Sequence, residues 1–168
     1  MGELANHPCI LKPPLAVTVT NWNQLNTLNT TVTELTVPSN SLNDASLTVL
    51  DLSRFRRLKK LVVGDECFMY MNETRLTGLY SLESVEIGMN SFTQHKNDYG
   101  DNPNRHFYLK NCPELKSLKI GRYSFSDYAS AVIESNDALE MIEMGYLNEA
   151  SKCFYSASLE LKSILISQ

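Results

Sequence analysis

Apolar residues recur along this chain in one spacing. It reads Leu58-x-x-Leu61-x-Val63-Gly64, Leu82-x-x-Val85-x-Ile87-Gly88, Leu115-x-x-Leu118-x-Ile120-Gly121 and Leu139-x-x-Ile142-x-Met144-Gly145. Val32, Leu35 and Val37 open the series, and Leu161, Ile164 and Ile166 are expected to close it. The last two apolar positions of each unit stand two apart, as on a strand that buries one face. A second alternation precedes each unit. Leu52, Leu76, Leu109, Ile133 and Tyr155 stand six residues before the leading apolar residue, and Leu50, Thr74, Phe107, Ala131 and Cys153 stand two further back. This predicts a second short strand on the opposite side of each unit. Phe68, Phe92 and Phe125 follow the glycines by four positions and are predicted to fill the space between the two sides, with Glu149 in that place in the fourth unit.

The glycines are 24, 33 and 24 positions apart, a period that signals stacked structural units. Residues 1–31 are read as a lead-in and cap, and 32–168 as the array. Within the cap, Leu15, Val17 and Val19 alternate as a strand, while Trp22, Leu25 and Leu28 suit one helical turn with Asn21 as its cap. The longer spacing is explained by nine extra residues in the segment 93–106, TQHKNDYGDNPNRH, whose polar, turn-forming composition predicts a surface loop.

Composition adds limits. The 168 residues carry 15 Lys and Arg against 19 Asp and Glu, a net charge of −4. That balance argues against a nucleic-acid partner, which selects a basic footprint. No stretch is apolar for the length of a bilayer, and the start MGELANHPCILKPP lacks the apolar run of a signal peptide. Four scattered cysteines (Cys9, Cys67, Cys112 and Cys153) form no CxxC pair and fit free thiols in a reducing, cytoplasmic setting, with surface exposure as part of a longer chain as the other option.

Val32, Leu35, Val37, Asn40 and Leu42, and again Leu82, Val85, Ile87, Asn90 and Phe92, match Leu-x-x-Leu-x-Leu-x-x-Asn-x-Leu. From Val32 onward the chain resembles a leucine-rich repeat protein, and its Gly-x-x-Ser-Phe elements (Gly88 to Phe92, Gly121 to Phe125) are similar to the BspA-like subclass of bacteria and protists. The resemblance implies a solenoid of mainly short parallel strands, an irregular or short-stranded back and little helix. It also implies protein or ligand binding on the concave sheet without catalysis or cofactor.

The outward slot between the second and third apolar residues reads Thr36, Val62, Glu86, Lys119, Glu143 and Leu165, and the slot after the leading leucine reads Lys59, Glu83, Lys116, Glu140 and Lys162. Opposite charges therefore stand side by side on neighbouring strands. Lys60, Glu86, Lys119, Met141 and Glu143 are the candidate ligand-binding residues of this face. His95, Lys96, Asp98, Tyr99, Asp101 and Arg105 are the candidates of the loop. Long loops on a rigid scaffold often decide binding.

Competing chemistry finds less support. Cys112 with His106 or His95 has the residue types of a nucleophile and base, but register gives Cys112 the packed slot of Phe55 and Leu79. Cys67 shares a small-residue slot with Ser91 and Ser124, and Cys153 is aligned with Leu50 and Phe107. His95, Asp98, Asp101 and His106 match no zinc or calcium spacing, so no metal is expected. The basic run Arg54, Arg56, Arg57, Lys59 and Lys60 reads first as a solvated turn and second as an anion site. The expected function is a non-enzymatic module recognising a protein or similar ligand, or self-associating through an uncapped C-terminal end. The alternative is a purely structural segment of a longer array that spaces or presents other domains.

Overall fold

The computed structural model describes residues 15–94, 102–145 and 150–163. The loop candidates His95, Lys96, Asp98, Tyr99 and Asp101, the residue Glu149 and the terminal Ile164, Leu165 and Ile166 lie outside these residues. Eleven strands and one short helix are present among the described residues. Strands β1 (Ala16–Thr18), β2 (Glu34–Val37), β4 (Lys60–Val63), β6 (Ser84–Ile87), β8 (Ser117–Ile120) and β10 (Met141–Met144) form one sheet in that order. The second sheet runs β3 (Val49–Asp51), β5 (Glu73–Thr77), β7 (Asn102–Lys110), β9 (Tyr128–Glu134) and β11 (Ser158–Lys162). From β2 onward the chain alternates between the two sheets, and every pairing is parallel.

Register follows the apolar spacing. Leu35 faces Leu61, Leu61 faces Val85, Val85 faces Leu118 and Leu118 faces Ile142. In the second sheet Leu50 faces Thr74, Thr74 faces Phe107 and Phe107 faces Ala131. The inward apolar residues of the inner strands join one buried cluster, whereas Ile142, Leu159 and Leu161 on the terminal strands are exposed. The cluster's centre is an aromatic column in which Phe68, Phe92, Phe125 and Phe154 stack at centroid separations of 4.9, 4.6 and 4.8 Å. Each such contact adds about 0.5–1.5 kcal/mol to the burial of its rings.

At the N-terminal side, β1 adds to the first sheet and helix α1 (Trp22–Thr27) follows it. The Asn21 side chain accepts a hydrogen bond from the Gln24 amide at 3.0 Å, so the expected cap is in place. Trp22 then meets the edge of Phe68.

The turn after each first-sheet strand from β2 onward has a fixed backbone signature. Asn40, Glu66, Asn90, Tyr123 and Lys152 have φ between 50 and 64°, and the residues two further on (Leu42, Phe68, Phe92, Phe125, Phe154) have φ between 51 and 59°. Asn tolerates that left-handed region better than most residues, which accounts for Asn40 and Asn90. The small residue between them ties one turn to another. Ser91 Oγ donates to Gly64 O at 2.8 Å, Ser124 Oγ to Gly88 O at 2.6 Å and Cys153 Sγ to Gly121 O at 3.1 Å.

This signature corrects the C-terminal alignment. Phe154 follows Gly145 by nine positions, whereas Phe125 follows Gly121 by four. Cys153 therefore takes the slot of Cys67, Ser91 and Ser124 instead of that of Leu50 and Phe107. Leu159 and Leu161, not Cys153 and Tyr155, continue the second-sheet rows, facing Ala131 and Ile133. Leu161 thus does not lead a first-sheet strand.

A second correction concerns the segment 93–106. Its last five residues belong to β7, where alternation turns Arg105 inward with Phe107 and Leu109, and Arg105 is 0% exposed. Its Nη1 donates to both oxygens of Asp127 at 2.9 Å, and Nη2 donates to Met69 O at 2.5 Å. Asp127, 1% exposed, also accepts from the Gln94 amide through Oδ2, and its carbonyl accepts from the Asn102 amide. Asp127 therefore holds both flanks of the extra segment, Gln94 through its ion-paired carboxylate and Asn102 through its backbone carbonyl.

Candidate functional site

The outward face of the first sheet carries two rows. One runs through Glu34, Lys60, Ser84, Ser117 and Met141, and the other through Thr36, Val62, Glu86, Lys119 and Glu143. Parallel strands about 4.8 Å apart hold each row in line. The cross-strand pairing expected from the sequence is present at two places. Lys59 Nζ lies 3.3 Å from Glu83, and Lys119 Nζ lies 3.9 Å from Glu143.

Beside the second row, where the strands end, a groove of about 430 Å³ crosses the sheet. One wall is Val62, Glu86, Lys119 and Glu143, the other is formed by Ser39, Asp65 and Met89, and Gly64, Gly88, Gly121 and Gly145 line it in sequence. The recurrence of glycine has a structural cause. A Cβ on Gly121 would stand 2.6 Å from the Gly88 oxygen and the Met89 nitrogen, so any side chain there would collide with the preceding turn. Close stacking of turns thus requires glycine here, because the neighbouring turn fills the space a side chain would take.

Glu86, Lys119 and Glu143 are brought together in this groove. Lys60 and Met141 are exposed on the same face, one row away from it. Arg105 is removed from consideration as a surface contact by its burial against Asp127. Asp65 and Met89 escaped the sequence reading because they follow the glycines in turns and not in the alternating strand. The position just after each glycine was the available signal.

The electrostatics of the groove are acidic, with Asp65, Glu86 and Glu143 against Lys119. Asp65 Oδ1 accepts from the Met89 amide at 2.7 Å, which fixes the carboxylate above Gly88. Lys119 leans to Glu143, and Glu86 has no ion pair among the described residues.

Other candidates resolve into packing. Cys112 is fully buried, its Sγ lies 3.6 Å from Leu76 O, and burial pushes the thiol up to about 11. His106 Nδ1 instead meets Ser130 Oγ at 2.8 Å. Desolvation likewise raises Cys153 to about 11 and shifts Cys67 upward. In the basic run, Arg54 donates to Leu25 O and Asn26 O at the end of α1 and lies 4.4 Å over Phe55, while Arg56 lies 5.9 Å over Tyr80. Among the described residues no group of three His, Cys, Asp or Glu could hold a metal ion, and no helix is long and apolar enough to cross a membrane.

Comparison of the chain with protein-family models, curated proteins and solved structures gave no match in any of the three.

Proposed function

We propose that the chain is a non-enzymatic binding module of leucine-rich-repeat type, close to the BspA-like subclass, that recognises a protein segment across its first sheet. The observation that carries this reading is the groove. Glu86, Lys119 and Glu143, outward residues of neighbouring strands, line one groove along which Gly64, Gly88, Gly121 and Gly145 recur. A groove of that kind lets an extended chain lie close to the sheet, with side chains of the wall reading its charge.

The repeat assignment is supported by the parallel register of equivalent positions, by the aromatic column and by the recurring left-handed turn. The 93–106 segment, held at both flanks through Asp127, is a second contributor to recognition in this reading. A role as spacer in a longer array is favoured by one observation, the exposed Met141, Ile142, Leu159 and Leu161 on β10 and β11, the last strands of their sheets among the described residues, to which further strands could add.

Selection of a displayed random dodecapeptide library on the whole chain tests the binding reading. Enrichment should occur on the native chain and disappear on the Glu86→Lys, Glu143→Lys double variant. Enrichment that is equal on both, or absent from both, would refute a groove-directed binding role.

A further inference from the structure

Resting on that reading, we infer that the groove takes a cationic side chain, arginine or lysine, from an extended segment of a partner protein, held between Asp65 and Glu86 above Gly88.

Charge carries the first step. Of the four ionised side chains in the trough, three are carboxylates and one is the Lys119 ammonium. Lys119 sits in register between Glu86 and Glu143 and is drawn to Glu143 at 3.9 Å. Cancelling that pair leaves Asp65 and Glu86 as the groove's net charge, and neither makes an ion pair among the described residues.

Geometry carries the second. Asp65 Oδ1 accepts from the Met89 amide at 2.7 Å, which holds its carboxylate at the turn. It lies on Gly88, and Glu86 stands two residues before that glycine on β6. Asp65 Oδ1 itself fills the place a Cβ on Gly88 would take, so this carboxylate lies against the glycine in the groove that Glu86 also lines. A guanidinium or ammonium entering there exchanges water for two charge-assisted hydrogen bonds. Its aliphatic stem gains the flanks of Val62 and Met89. An anionic or purely apolar segment would leave both carboxylates uncompensated and desolvated, which selects against it.

The sign of charge changes is therefore specific. Glu86→Gln removes one carboxylate and keeps the side-chain shape. Asp65→Asn retains the Oδ1 acceptor for Met89, so the turn survives. Lys119→Glu adds negative charge to the wall and should tighten binding, the reverse of what an acidic ligand would require.

The dodecapeptide library, selected on the whole chain, provides the test. Enriched sequences should carry Arg or Lys. A fluorescein-labelled representative should bind about fivefold more weakly to Glu86→Gln and to Asp65→Asn, and more tightly to Lys119→Glu, with Glu114→Gln unchanged as a remote control. Far-ultraviolet circular dichroism of each variant confirms that it is folded. Groove-dependent enrichment of neutral or acidic peptides, or affinities indifferent to Asp65 and Glu86, would overturn the cationic inference and leave the binding reading standing. Loss of groove dependence altogether would overturn both.

Discussion

Arg105 and Asp127 form an ion pair in the interior, at 0 and 1% side-chain exposure, with Nη1 reaching both carboxylate oxygens. The pair joins the start of β7 to the turn before β9, and Asp127 holds the Gln94 and Asn102 amides on either side of the extra segment. Removing one partner leaves a buried charge without compensation, at a cost of about 3–5 kcal/mol. Arg105→Met should lower stability by that amount in urea unfolding, and Arg105→Met combined with Asp127→Leu should recover most of it. A double variant no more stable than the single one would show that the hydrogen bonds to Met69 and Gln94, and not the charge pairing, dominate.

The aromatic column gives a test of the corrected C-terminal register. Phe154 is 5% exposed and stacks on Phe125, while its neighbour Tyr155 is 58% exposed. Phe154→Ala should cost about 3–5 kcal/mol, as for other buried aromatic truncations, and Tyr155→Ala less than about 0.5 kcal/mol. The order reverses if Tyr155 is the inward residue.

Gly121 tests the close approach of the turns. Its missing Cβ would lie 2.6 Å from the Gly88 oxygen. Gly121→Ala should destabilise by about 1–3 kcal/mol through overpacking, whereas Ala is neutral or favourable at a glycine with open space.

The thiols give a pH dependence. Burial raises Cys112 and Cys153 to about 11 from 9.0. The folded state favours the protonated thiol, so the stabilisation is fully present below pH 9 and is lost as pH rises through 11. Unfolding midpoints in urea should therefore fall between pH 9 and 11 more steeply than in the Cys112→Ala, Cys153→Ala variant. Iodoacetamide at pH 8 should leave both thiols largely unmodified until the chain is unfolded.

Much of this fold is legible in the sequence. Alternation and period place Leu61, Val85, Leu118 and Ile142 in one row and Leu76, Leu109 and Ile133 in another, because a buried strand face demands apolar residues at every second position. Asn21 is recognisable as a cap for the same local reason. The reading fails where the spacing changes. Between Gly145 and Phe154 the chain lengthens, the count from the glycine no longer finds the aromatic residue, and Cys153 and Tyr155 are assigned the places of Leu159 and Leu161. Arg105 fails for another reason. Its partner is 22 positions away, and a polar segment gives no local sign that one of its charges will be buried. The groove was half visible, since strand alternation exposes Glu86, Lys119 and Glu143, whereas Asp65 and Met89 belong to turns that no periodicity reaches.

The groove itself is tested most directly by amide chemical-shift mapping of the labelled whole chain with a library-selected peptide. The expected result is a contiguous set of perturbations at Val62, Glu86, Gly88, Lys119 and Glu143, with Arg75 and Tyr108 of the second sheet unchanged. Perturbations centred on the second sheet, or on Ile142, Leu159 and Leu161 alone, would contradict recognition across the first sheet.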